Sequence, residues 1–118
     1  PQFPIQDLSP VLDKMRLIKS PREIEMIRRA TKLSGMALLE GMKSTKAGLK
    51  EHELDGMAKF IFCRNGAQGD AYYSLIASGP NAMFPHYNAG KRTMDGGELL
   101  LMDYAPDYGY YMADVTRM

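Results

Sequence analysis

The stretch ELLLMDYAPDYGYYMADVTRM, Glu98 to Met118, reads as two strands, Glu98–Tyr104 and Tyr110–Arg117, joined around Asp107-Tyr108-Gly109. Gly109 supplies the positive-φ freedom that such a turn wants. A hairpin centred between Tyr108 and Gly109 sets Asp103 directly opposite Asp114. Opposed Cβ atoms lie about 4.5–5.5 Å apart, and like charges placed there destabilise a sheet. Leu99 and Leu101 share the face of Asp103, which aims the pair at an interior rather than at open water. Two carboxylates held together at an apolar wall invite a shared proton or a metal cation. The residues themselves also allow a plainer arrangement. Acids near a hairpin are commonly solvated, and a one-residue slip of register sends one of them to the other face.

Upstream of the hairpin, Ala71–Ser78 (AYYSLIAS) is rich in β-formers and closes on Gly79-Pro80-Asn81, a turn signal. Asn81–Gly90 is then a loop carrying His86, and loops held by a rigid sheet are where ligand contacts concentrate. An idle, exposed histidine is the other reading of that position. Lys91–Gly97 is a short turn that leads into the hairpin.

The first part of the chain is helical in pattern. Ser20 can cap a helix, Pro21 suits its first position and Glu23 completes a capping box. Ile24, Ile27, Ala30, Leu33, Ala37 and Leu38 then form one apolar stripe, opposite Arg28, Arg29 and Lys32. This helix is expected to end near Gly41–Met42, with Lys43–Lys50 as a loop broken at Gly48. A second helix over about Glu51–Arg64 buries Leu54, Met57, Ala58, Ile61 and Phe62 and stops at Asn65-Gly66. His52, beside Glu51 and Glu53 in its first turn, reads as a surface residue. Before Ser20, residues Pro1–Ser9 look like an extended lead-in. Val11, Leu12, Met15 and Ile18 then sit at the spacing of a short helix.

Composition removes several classes. At 118 residues, 45% of them hydrophobic, the chain is one domain at most and long enough to bury a core. A net charge of +1, from 15 basic and 14 acidic residues, gives no electrostatic case for nucleic acid or an anionic membrane. Apolar runs fall far short of the roughly 20 residues that span a bilayer. The single Cys63 cannot form an internal disulfide, which fits a reducing, cytoplasmic compartment; it reads as a small buried side chain late in the second helix.

Met102-Asp103, followed eleven residues on by Asp114 in Ala113-Asp114-Val115-Thr116-Arg117, resembles the metal-binding hairpin of the pita-bread metallopeptidases of family M24. That family includes Xaa-Pro aminopeptidases, prolidases and methionine aminopeptidases, with creatinase as a relative. Pro85-His86-Tyr87 is similar to the family's histidine loop, and Ser20-Pro21-Arg22-Glu23 to the start of its first catalytic-domain helix. The three motifs are weak singly and fairly specific in this order. Tyr87 stands where methionine aminopeptidases typically have glycine, which favours the proline-directed branch. Tyr104 departs from the small residue that many relatives carry after the first Asp, and is expected to narrow the pocket.

The resemblance implies an α+β architecture: two helices packed on an antiparallel sheet of about three strands, the first half of a pita-bread fold. Residues 1–19 would be a lead-in, and residues 20–118 the amino-terminal half of the catalytic domain without its carboxyl-terminal half. It implies two divalent metal ions in the intact protein, manganese, cobalt or zinc, with Asp103 the terminal ligand and Asp114 the bridging one. His86 would be catalytic, contacting substrate beside the metals. The implied reaction is hydrolysis of peptide bonds next to proline by metal-activated water. About five protein ligands are needed, and three of them belong to the half that follows. The chain alone is therefore expected to bind metal weakly and not to turn over. The uncovered sheet face allows a homodimer in which a second copy supplies the cover. Two other readings compete: a non-catalytic peptide-binding module of the same fold, and a creatinase-like hydrolase without metal. The Asp pair speaks against both, because neither has a chemical use for it.

Overall fold

The structure, a computed structural model, describes residues 3–118. Pro1 and Gln2, the start of the expected lead-in, lie outside the described residues, and residues 3–8 carry no helix or strand. Three helices follow: α1 (Ser9–Leu17), α2 (Pro21–Ser44) and α3 (Glu51–Arg64). The strands are β1 (Gly69–Asp70), β2 (Leu75–Ser78), β3 (Leu100–Tyr104), β4 (Pro106–Tyr108), β5 (Tyr111–Met112) and β6 (Val115–Arg117). They form two small antiparallel sheets, ordered β1-β4-β5 and β2-β3-β6. The expected α+β arrangement is thus present, with the sheet in two parts. No helix among the described residues is long and apolar enough to cross a membrane.

Helix α2 begins as its sequence dictates. Ser20 Oγ accepts from Glu23 N (3.3 Å) and the Glu23 carboxylate accepts from Ser20 N (2.6 Å), so both orphan donors are satisfied. The helix runs through Gly41, past its expected end, because Thr45 closes it by donating its N–H to the Gly41 carbonyl (2.9 Å). Its stripe is buried from Ala30 to Leu38, but Ile24, in the first turn, is exposed. In α3, Leu54, Ala58 and Phe62 are buried, with Met57 and Ile61 packed partly against them. Cys63 is exposed rather than buried, because Phe62 takes the inward position beside it. Helix α1 forms, but none of its residues is buried, so its apolar spacing finds no partner among the described residues.

The core lies between α2, α3 and one face of β2 and β3. Ile76, Met102 and Tyr104 meet Leu33, Leu38, Leu54 and Phe62 there. Each such side chain contributes about 1.5–3 kcal/mol on burial. Phe62 and Tyr104 pack edge to face, with centroids 6.1 Å apart. This corrects one expectation: Tyr104 points into the helical core, so it does not narrow the pocket beside Asp103. Alternation along β3 decides this, since Asp103 and Tyr104 must face opposite ways. Asp103 shares the other face with Leu99 and Leu101, and Leu99 is 66% exposed. That face is the open side of the sheet, not the interior expected from its leucines.

Ala71–Ser78 does not run as one strand. Residues 71 and 72 form a bend, 73 and 74 are irregular, and only Leu75–Ser78 pair with β3. Residues Gly79–Met83 then make a turn of 3-10 helix before the His86 loop.

Candidate metal centre

The hairpin turn is centred one residue later than the sequence suggests. Tyr108 pairs with Tyr111, and Gly109 and Tyr110 occupy the turn at φ 61° and 66°. Two successive positive φ values make the two-residue turn whose twist suits a hairpin. Asp107 Oδ1 accepts from Tyr110 N (2.8 Å), which helps to hold a tyrosine in that conformation. Asp103 is consequently opposite Thr116, not Asp114. The shift is two positions along the partner strand, so the side-chain alternation survives and both acids stay on one face. They are diagonal neighbours, about 7–8 Å apart in a regular ladder. The looser spacing removes the direct like-charge clash and leaves room for a third group between them.

Tyr72 is that group. Its hydroxyl lies 2.6 Å from Asp103 Oδ1 and 2.7 Å from Asp114 Oδ1. The bend at residues 71 and 72 brings it there, tied at Ala71 N to the Ala105 carbonyl (2.7 Å). Ala105 and residues Ala113 and Asp114 fall in the gap between the two sheets, where the ladder stops. Ser34, buried in α2, directs its hydroxyl at the Tyr104 and Ala113 carbonyls (3.4 and 3.3 Å), which helps to satisfy that interrupted backbone. Burial, and then the two carboxylates, push the Tyr72 phenol above its ordinary pKa. It is therefore a neutral donor at physiological pH.

Tyr72, Tyr73, Leu75, His86, Asp103 and Asp114 line one cavity of about 330 Å³. His86 and Asp103 also line an adjoining hollow of about 160 Å³, floored by Leu75, Ala77 and Leu101. All three residues singled out from sequence are thus gathered at one site. Sequence reasoning missed Tyr72, which it placed in a regular strand. Its only signal was the Tyr72-Tyr73 pair ahead of an apolar run, and that cannot reveal a bend.

The donor chemistry here suits a hard divalent cation, since carboxylate oxygens are the preferred ligands of such ions. One phenolic proton cannot serve two carboxylates equally, and a second proton or a cation can relieve the remaining charge. The number of donors is small. Among the described residues no group of three or more His, Cys, Asp or Glu converges to hold a metal ion.

Comparison with known proteins shows the family. The chain matches metallopeptidase family M24 over residues 25–118. It is 37% identical to an Xaa-Pro aminopeptidase of Escherichia coli over 94% of its length, and 32% identical to an Xaa-Pro dipeptidase of Pyrococcus horikoshii over 91%. It spans only 25% and 30% of the length of those two relatives. Among solved structures, the prolidase from Pyrococcus furiosus superposes with a TM-score of 0.91 at 28% identity, over 95% of this chain and 33% of that one. Proline aminopeptidase P II from Yersinia pestis gives 0.91 at 35% identity, over 94% and 26%. The helices and sheets described above are the first half of a pita-bread fold, and the chain belongs to metallopeptidase family M24.

Proposed function

We propose that this chain is the amino-terminal half, residues 20–118, of the catalytic domain of a metal-dependent exopeptidase that cleaves next to proline. Residues before Ser20 lead into it. The observation that carries this reading is the convergence of Asp103, Asp114 and His86 on one cavity, with the two acids linked through a single tyrosine hydroxyl. Family membership and the Xaa-Pro specificity named for its relatives supply the substrate class.

Asp103 and Asp114 would hold divalent ions, with further ligands from outside these residues. Such ions, when bound, supply Lewis-acid polarisation of the scissile carbonyl and an acidified water. Tyr72 orients both carboxylates through its hydroxyl and remains a neutral donor while doing so. His86, on the cavity wall, presents an imidazole that can donate to a substrate carbonyl or pass a proton at a ring nitrogen. Leu75 and Tyr73 give the cavity an apolar flank for a substrate side chain.

The test is hydrolysis of Xaa-Pro dipeptides by the protein that carries this domain, stripped of metal and then reloaded with manganese. Activity that appears only on reloading supports the reading. Equal activity without metal points to the creatinase-like alternative. Peptide binding without cleavage, metal present, points to a binding module. The 118-residue chain alone is expected to bind manganese weakly and to show no turnover; turnover by it would overturn the assignment of a half-domain.

A further inference from the structure

We infer that Glu51 is a positioning residue for His86: its buried carboxylate fixes the entrance of the loop carrying the imidazole, while backbone N–H groups of the same helical turn hold the exit. This rests on the reading of His86 as a group that meets substrate. Glu51 is the first residue of α3 and is 0% exposed. Its Oε1 accepts from Ser78 N (2.8 Å), Ser78 Oγ (2.8 Å) and Asn81 Nδ2 (3.0 Å), which are the entrance to the loop. The exit is held by the same turn of helix: Glu51 N donates to the Arg92 carbonyl (3.1 Å) and His52 N to the Gly90 carbonyl (3.0 Å).

Between these anchors the loop is stitched to itself. Phe84 N donates to the Asn81 carbonyl (3.1 Å) and Tyr87 N to the Phe84 carbonyl (3.2 Å). Glu51 Oε2 is buried without a hydrogen-bond partner and lies close to Gly90, as does the Tyr87 hydroxyl. A Cβ at Gly90 would stand 2.5 Å from Tyr87 Oη and 3.3 Å from Glu51 Oε2, so a side chain there would displace the Tyr87 hydroxyl. Arg92 completes the frame, donating to Ser78 Oγ (2.7 Å) and through both guanidinium nitrogens to Glu98 (2.7 and 2.5 Å).

His86 itself is exposed and sits at φ 60°, a left-handed conformation that a residue other than glycine keeps only where its surroundings impose it. Asn81 joins the loop's internal bonds to Glu51, its side chain donating to the carboxylate and its carbonyl accepting from Phe84 N. Burial raises the Glu51 pKa, but the hydrogen bonds from Asn81 and Ser78 outweigh that and leave it below the ordinary glutamate value. The anchor is thus a carboxylate, and its bonds are of the stronger, charge-assisted kind.

The test is amide hydrogen exchange on this chain, read separately for loop amides 82–91 and for α2, in Glu51→Gln, Asn81→Ala and Leu54→Ala. Leu54→Ala weakens the same helix through the core and should speed both sets together. Glu51→Gln and Asn81→Ala should speed the loop amides by about tenfold relative to α2, because local opening is decoupled from the core. The ring signals of His86 should shift in those two variants and not in Leu54→Ala. Asn81→Ala keeps the question answerable if Glu51→Gln fails to fold. Equal acceleration of loop and α2 in the anchor variants, or an unmoved loop, overturns the inference. Neither measurement involves metal or hydrolysis, so a failed peptidase reading would show itself elsewhere.

Discussion

Asp103 and Asp114 do not face one another across the hairpin; they are diagonal neighbours on one face, joined through Tyr72. A direct pairing would have set two negative charges at the closest cross-strand distance. The diagonal places a donor between them instead. Tyr72→Phe removes that donor and leaves both acids facing an apolar ring. The variant is expected to lose about 1.5–3 kcal/mol, the usual contribution of a hydrogen bond to a charged group. Urea denaturation at neutral pH measures it, and an unchanged midpoint would remove Tyr72 from the account of the site.

Asparagine at either acid tests the ligand assignment. In the protein carrying this domain, Asp103→Asn and Asp114→Asn should each cut manganese affinity by more than the roughly 10–100-fold typical of changes outside the ligand set. Asp114→Asn should reduce the number of ions bound from two to at most one, if Asp114 bridges them. Calorimetric titration gives both affinity and stoichiometry. Unaltered binding in both variants would send the metal to another site.

The hairpin turn stores strain at Tyr110, which is 79% exposed and therefore gains little from packing. A left-handed conformation costs a residue with a Cβ about 1–2 kcal/mol. Tyr110→Gly should stabilise the chain by about 1 kcal/mol, the loss of glycine's greater unfolded freedom taking back part of the gain. A lower denaturation midpoint would show that the tyrosine ring contributes more than its exposure suggests.

Asp70 gives a pH dependence whose sign follows from its surroundings. Burial raises its pKa; Lys59, 3.6 Å away, lowers it and nearby Asp55 raises it, with the net shift upward. An acid whose folded pKa exceeds the unfolded value opposes folding once it ionises. That cost is absent below the unfolded pKa and grows as pH rises through the folded one. Asp70→Asn should therefore melt higher than the wild-type chain at neutral pH, and the difference should close below about pH 4. A gain that persists in acid would mean the substitution acts through packing.

Much of this protein is legible along the chain because its signals are local. The Ser20–Glu23 cap, the α2 stripe, the bounds of α3 and the glycine at the hairpin depend on neighbours within a few residues, and each is present in the structure. The residues that line the candidate cavity were legible too, since an Asp pair and a loop histidine are residue types rather than geometries. What the sequence could not determine were the quantities set by long-range contact. The turn's centre is a local matter that residue preference nonetheless hides, because Tyr110 takes a positive φ with Asp107 Oδ1 accepting from its N–H, and that moves the partner of Asp103 from Asp114 to Thr116. Helices α2 and α3 cover the Tyr104 side of the sheet, which decides that the acids sit on the open face. Tyr72 and Glu51, silent in the sequence, become central because the fold carries Tyr72 to residues 31 and 42 positions away, and Glu51 to a loop about 30 away. Periodicity fixes which side chains share a face; only packing fixes which face is covered and which distant groups meet on the other.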